Sequence, residues 1–213
     1  MPALAEGVAR FRRDVFPAKA ELYARLATHH DPHALFIGCS DARVVPELLT
    51  GAEPGDLFVI RTAGNLVPAH GLAADGVAAS IEYAVAVLGV RSIVVCGHSA
   101  CGAMTALAEG HDLGGAPAVA AWLRHADASR ARAANDGGVP ALVRENVRAQ
   151  LANLATHPSV ARALAAGEVA LHGWVFDIAA GRVEDLTGAD DGEGPATPQP
   201  RRADRRPTPH PGP

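Results

Sequence analysis

Two short segments hold the side chains best suited to chemistry: Cys39-Ser-Asp-Ala-Arg43 and His98-Ser-Ala-Cys-Gly102. Each follows an apolar run, and together they supply two thiols, one imidazole, and a carboxylate close in sequence to a guanidinium. Two thiolates and a neutral imidazole suit a borderline-soft ion that prefers sulfur and nitrogen donors, which makes Cys39, His98 and Cys101 candidate zinc ligands. Three protein ligands leave a fourth position open to water, and an open position means reaction chemistry as well as structure. A turn through Ala42 could pair Asp41 with Arg43, keeping the carboxylate ionised and oriented. Beside an open zinc position such a carboxylate either accepts a hydrogen bond from bound water or displaces it as a fourth ligand.

Plainer readings compete with each of these. Buried cysteines are often inert small hydrophobes, a histidine can be a satisfied core residue, and Asp41 with Arg43 could form an ordinary surface ion pair. The joint occurrence of three soft ligands at strand ends favours the metal. Cys96 lies inside an apolar run, where a small thiol packs well, and reads as structural. His29, His30 and His33 read as solvent-facing or capping residues. The loop Arg61-Thr-Ala-Gly-Asn65 is followed neither by a Walker pattern nor directly by a helix, and reads as a pocket wall.

Such ligands need a scaffold. Ala34–Cys39, Leu57–Arg61, Ser92–Gly97 and Val169–Ile178 are short apolar runs that read as strands, the first three as parallel strands covered on both faces. Val77, Ile81, Val85 and Leu88 trace a crossover helix with Asp75 as N-cap and Gly89 past its end. Helical patterns also cover the first thirty residues, with a break or kink at Pro17, a short stretch from about Cys101, the span from Ala116 to Arg132, and a stripe of Val143, Val147, Leu151 and Leu154. If the strands ending at Cys39 and before His98 are neighbours, all three ligands converge where open α/β sheets bind ligands, beyond the carboxyl ends of the strands at a reversal of strand order.

The chain of 213 residues, 48% hydrophobic and 20% charged, is long enough for one α/β domain over residues 1–188 without disulfide staples. Residues 189–213 are polar and Pro/Arg-rich without apolar periodicity, and are expected to be a disordered tail. Three cysteines at uneven spacing form no disulfide framework, and no basic-then-apolar leader precedes the first helical pattern, so a reducing cytoplasm is expected. A net charge of −4 gives no reason to expect nucleic acid as a partner, and no apolar run approaches the roughly 20 residues that span a bilayer.

Cys39-Ser-Asp-Ala-Arg43, Arg61-Thr-Ala-Gly-Asn65, Ser80-Ile-Glu-Tyr-Ala-Val85, Val94 through Met104, Glu145-Asn-Val147 and His172-Gly-Trp174 together resemble the β-class carbonic anhydrases. The resemblance implies a single domain with a mostly parallel sheet of order 2-1-3-4 plus an edge strand, flanked by helices, whose N-terminal helices pack on a partner subunit in a homodimer or tetramer. It also implies one zinc ion per chain on Cys39, His98 and Cys101, with Arg43 orienting Asp41 toward the zinc-bound water. Zinc-bound hydroxide would attack CO2 and bicarbonate would leave, with the substrate pocket lined by Phe58, Ala63 and Tyr83 and the backbone N–H of Gly102 near a substrate oxygen. A glutamine that donates to substrate across the dimer interface in many members falls at His30 here. Of an inhibitory bicarbonate site built in some members from Trp, Arg and Tyr, only Arg61 is matched, with Phe36 and Phe176 at the aromatic positions, so closure by that route is not expected.

Two rivals remain open. Carbonyl sulfide or carbon disulfide could be the electrophile at the same site. Alternatively, Cys39 and Cys101 could form the redox pair of a non-catalytic zinc or thiol sensor, which would give Asp41 and Arg43 no role.

Overall fold

The structure, a computed structural model, describes residues 2–72, 75–133 and 137–188. The expected tail over 189–213 lies outside the described residues. The opening segment forms α1 (Pro2–Arg10) and α2 (Ala20–Leu26). Between them the chain widens over Phe11–Val15 and tightens over Phe16–Lys19, as the ring of Pro17 removes a backbone donor. The rings of Phe11, Phe16 and Tyr23 pack against one another across this break, with centroids 5.5–6.2 Å apart.

The remaining elements are β1 (Ala34–Cys39), α3 (Pro46–Thr50), β2 (Leu57–Thr62), α4 (Gly76–Glu82), β3 (Ser92–His98), α5 (Gly102–Glu109), α6 (Pro117–Leu123), α7 (Asp127–Ala133), α8 (Gly138–Leu154), α9 (Pro158–Ala165), β4 (Ala170–Asp177) and β5 (Arg182–Asp185). The sheet order is β2-β1-β3-β4-β5, with β5 antiparallel to β4 and every other pairing parallel. β1 has the expected bounds, and β3 runs one residue beyond them to include His98. At the start of α4 the Asp75 carboxylate accepts the Ala78 N–H at 2.8 Å, the expected N-cap. The helix then broadens over Tyr83–Val87 before Gly89 turns the chain at φ +67°. The span read as helical from Ala116 to Arg132 is two helices, α6 and α7, joined by a tight turn at Arg124–Ala126.

All six residues of β1 are buried, which accounts for its unbroken apolar run. Leu35, Ile37, Ile93 and Val95 pack with Ile81, Ala84, Val147 and Val160 in the main core. Phe36, Val94 and Cys96 form a smaller cluster with Leu49, Trp174 and Phe176. α8 lies so close to the sheet that a Cβ on Gly97 would meet Val147 Cγ2 at 2.8 Å, and one on Gly173 would meet Leu151 Cδ1 at 2.8 Å. Glycine is what permits this approach, and Gly97 directly precedes His98. The chain passes from β1 out to β2 and returns across β1 to β3, so strand order reverses between β1 and β3, where Cys39 and His98 end their strands. Among the described residues no helix is long and apolar enough to cross a membrane.

Candidate metal centre

β1 ends at Cys39 and the chain turns at once, with the Val44 N–H donating to the Asp41 carbonyl at 3.0 Å. Arg61 braces the turn from β2: Nε donates to the Cys39 carbonyl at 3.0 Å, and Nη2 to the carbonyls of Asp41 and Val44 at 2.6 and 2.7 Å. The turn folds Arg43 back on Asp41. Its backbone N–H and Nε both donate to Oδ1 at 2.9 Å, and Nη2 donates to Oδ2 at 2.7 Å. The same Nη2 donates to the Ala100 carbonyl at 3.0 Å, tying the first segment to the second. Ala100 sits at φ +52°, a left-handed conformation that costs a non-glycine residue about 1–2 kcal/mol. That turn brings Cys101 back toward His98 and presents it at the N-cap of α5.

Cys39, His98 and Cys101 are buried, and their ligand atoms lie within 4.8 Å of one another. His98 Nδ1 lies 2.9 Å from the Ser99 carbonyl, a contact that requires the proton on Nδ1 and leaves the Nε2 lone pair for another use. Nε2 is fully buried with no hydrogen-bond partner and stands 3.8 Å from Asp41 Oδ2. A buried acceptor left without a partner is costly unless something binds it. With two thiols converging beside it, the donor set fits zinc.

The electrostatics of the site also favour a cation. Hydrogen bonding from Cys101 pulls the Cys39 thiol far below the ordinary thiol range against the opposing effect of burial, and the same pairing, with burial, pushes Cys101 up. Burial disfavours charge on His98, but the neighbouring Cys39 sulfur, then the Ser99 carbonyl and the Asp41 carboxylate, outweigh it and raise the imidazole. Arg43 holds the Asp41 carboxyl well below the usual carboxylate range through its side-chain and backbone hydrogen bonds. Cys96, two residues before His98, belongs instead to the cluster around Phe36, where burial pushes its thiol up to about 12.

The pocket residues expected from the sequence fall into two groups. Gly102 begins α5 next to Cys101, and Ala63 directly precedes Gly64, whose N–H donates to Cys39 Sγ at 3.4 Å. Phe58 and Tyr83 stand together with ring centroids 6.0 Å apart, and the His30 ring lies 6.2 Å from Phe58. Thr62, not Phe58, is the β2 residue opposite Cys39. At about 3.3 Å per residue, Phe58 lies roughly 13 Å back along the strand from the residue opposite Cys39, so this ring group is well separated from Cys39 and the candidate metal cluster of its own chain.

Sequence reasoning missed the residues that hold the loop after β2. Trp122 Nε1 donates to the Ala63 carbonyl at 2.9 Å, and Asn146 Nδ2 to the Gly64 carbonyl at 2.9 Å. Gln150 accepts the Val67 N–H at 2.8 Å, Asn153 donates to the Val67 carbonyl at 2.8 Å, and His157 Nε2 lies 3.0 Å from the Pro68 carbonyl. The signal was present as polar residues at helical spacing interleaved with the apolar stripe of α8.

Residues 34–183 match the family model described as carbonic anhydrase. A carbonic anhydrase of Pseudomonas aeruginosa is 58% identical over 195 residues, covering 89% of each chain. The solved β-carbonic anhydrase CcaA superposes with a TM-score of 0.81 at 41% identity, covering 86% of each chain. One of two tetrameric β-carbonic anhydrases from Sordaria macrospora gives 0.77 at 32% identity, covering 87% of this chain and 95% of its own. The fold, the Cys-His-Cys group and these matches agree: the chain belongs to the β-carbonic anhydrases, zinc enzymes whose family activity is the reversible hydration of carbon dioxide.

Proposed function

We propose that Cys39, His98 and Cys101 hold one zinc ion, that Asp41 is the catalytic carboxylate beside it, and that Arg43 positions Asp41 for CO2 hydration. The observation that carries this reading is the unpartnered, buried Nε2 of His98, 3.8 Å from Asp41 Oδ2, on a residue whose ligand atom clusters within 4.8 Å of those of two buried cysteines. Bound zinc supplies Lewis acidity that makes water nucleophilic near neutral pH. Asp41 Oδ1 already accepts two hydrogen bonds from Arg43, whereas Oδ2 accepts one and keeps acceptor capacity on the side of His98. That oxygen takes a hydrogen bond from an incoming water and fixes its orientation, and the ionised carboxylate leaves it no proton to donate in return. Arg43 keeps Asp41 turned to this task by spanning to the Ala100 carbonyl. The Gly102 N–H at the start of α5 faces a substrate oxygen, where the helix N-terminus favours developing negative charge.

The reading extends to a second copy of the chain. A ring group of His30, Phe58 and Tyr83 set apart from its own metal ligands, together with exposed Leu4 and Val8 on α1, supports a homodimer in which α1 and α2 embrace the partner and each ring group lines the partner's pocket. A tetramer of such dimers is compatible with the same surfaces. His30 takes the place of the family glutamine. Arg61, committed to three carbonyls, and Phe36, packed edge-on against Trp174, leave no inhibitory bicarbonate site of the Trp/Arg/Tyr kind. Three free, buried cysteines support a reducing cytoplasm.

The test is Asp41→Ala in zinc-loaded protein. Zinc should remain near one per chain while CO2 hydration falls by about a hundred- to ten-thousandfold, the range for a positioned acid–base group. Unchanged hydration would overturn the assignment. Carbonyl sulfide hydrolysis on the same wild-type sample decides the substrate, with CO2 expected to be turned over faster.

A further inference from the structure

The turn Ala63-Gly64-Asn65 carries the N–H that reaches the Cys39 sulfur, and it is gripped on both sides by side chains outside the Cys39, His98, Cys101 and Asp41 group. One peptide unit joins Ala63 to Gly64. Its carbonyl accepts the Trp122 indole N–H at 2.9 Å, and its N–H donates to Cys39 Sγ at 3.4 Å. The next unit presents the Gly64 carbonyl to Asn146 Nδ2 at 2.9 Å. A hydrogen bond accepted at one end of an amide polarises the donor at its other end, so Trp122 strengthens the Gly64 N–H as well as aiming it.

The orientation of the Asn146 amide follows from its neighbours. The Val67 N–H requires an acceptor, which fixes Oε1 of Gln150 toward it at 2.8 Å. Gln150 Nε2 must then face Asn146 Oδ1, at 2.9 Å, and Asn146 Nδ2 is left for the Gly64 carbonyl. Ser129 Oγ approaches the same Asn146 oxygen at 3.3 Å. Asn146, Gln150 and Ser129 are fully buried, so a reversed amide would leave unpaired groups that water cannot satisfy. Gly64 itself has no room to shift toward α5. At φ +74°, a Cβ there would meet Ala103 Cβ at 3.0 Å and Met104 Cε at 3.1 Å.

We propose that Trp122 and Asn146 are positioning residues that aim the Gly64 N–H at Cys39, and that through this hydrogen bond they set the donor strength of the Cys39 sulfur toward the metal. An N–H held on a thiolate draws electron density from its lone pairs, so the bond to the ion is less covalent than an unassisted thiolate would make it. This rests on the reading that Cys39 is a metal ligand.

The test uses the full chain loaded with cobalt(II) and, separately, with zinc. Trp122→Phe keeps the ring and removes only the indole donor, and Asn146→Ala removes the second grip. In both variants the thiolate-to-cobalt charge-transfer band should move to longer wavelength while the ligand-field bands keep their tetrahedral pattern. Losing the grip also leaves the Cys39 sulfur less well positioned, and this loss outweighs the gain in donor strength, so zinc retention against a chelator should weaken by about tenfold, the low end of what outer partners of metal ligands cost. If Asn146→Ala does not fold, Trp122→Phe carries the test alone. A folded Trp122→Phe protein whose charge-transfer band and zinc retention match wild type would overturn the inference while leaving the metal centre intact. A wild-type protein with no thiolate-to-cobalt band would remove the metal centre and the inference together.

Discussion

The proposed metal ligands and the N-terminal arm make opposite use of their surroundings. Cys39, His98 and Cys101 are 6%, 0% and 1% exposed, and their own chain holds them through the Arg61 brace, the Ser99 carbonyl and the Gly64 N–H. Leu4 and Val8 of α1 are 73% and 61% exposed, on an arm stiffened by the rings of Phe11, Phe16 and Tyr23. One region is complete in a single chain. The other spends an internal aromatic cluster on presenting apolar side chains outward, which is worthwhile only if a second surface covers them. On the proposed dimer the difference divides the work: one chain would suffice to hold the ion, and two would be needed to enclose the substrate.

The largest effect should come from His98→Ala. It removes a ligand rather than an outer partner, so zinc binding should weaken by more than the roughly 10- to 100-fold that outer partners cost, with activity lost in proportion. Metal analysis after dialysis checks this, and stoichiometric zinc in the variant would break the comparison. The double substitution Leu4→Asp with Val8→Asp acts at the other pole. Unpaired charges in a buried interface cost several kcal/mol, raising the dimer dissociation constant by about a hundredfold or more. Sedimentation should show monomers that still carry zinc but have lost CO2 hydration, and a fully active monomer would show that the ring group serves no partner. The smallest effect is expected from Cys96→Ala, which removes a sulfur as buried as the ligands but packed on the cluster around Phe36. Melting should show about 1 kcal/mol of lost stability with zinc content unchanged.

β1 and β3 were legible because burial on both faces leaves an unbroken apolar run, whereas β2, expected to be covered in the same way, is an edge strand and only partly buried. The Cys39, His98 and Cys101 cluster was legible because three soft donors at strand ends occur together, where any one of them alone would have read as core packing. α3 and α9 were harder, being short helices opened by Pro46 and Pro158, and so was β5, whose Arg182-Val-Glu-Asp185 carries charge on a sheet edge. Asn146 belongs to the Glu145-Asn-Val147 motif read in the sequence, but the ladder it forms with Gln150 and Asn153 escaped notice for a different reason. Polar residues at helical spacing read as a solvated face, and only the backbone of residues 64–67 shows what they satisfy. A donor to sulfur from a main-chain N–H, such as that of Gly64, has no side-chain signature.

β1 and β3 are neighbours in the middle of the sheet, and the metal-binding side chains lie at their ends in segments distant in sequence. An ion held there would span a contact between two strands that the chain joins only through the crossover of β2 and α4. Binding it is therefore linked to folding: each tenfold rise in free ion above the dissociation constant adds about 1.4 kcal/mol to the assembled sheet. The supply of the metal would thus set how stable the fold is as well as whether the chain turns over substrate.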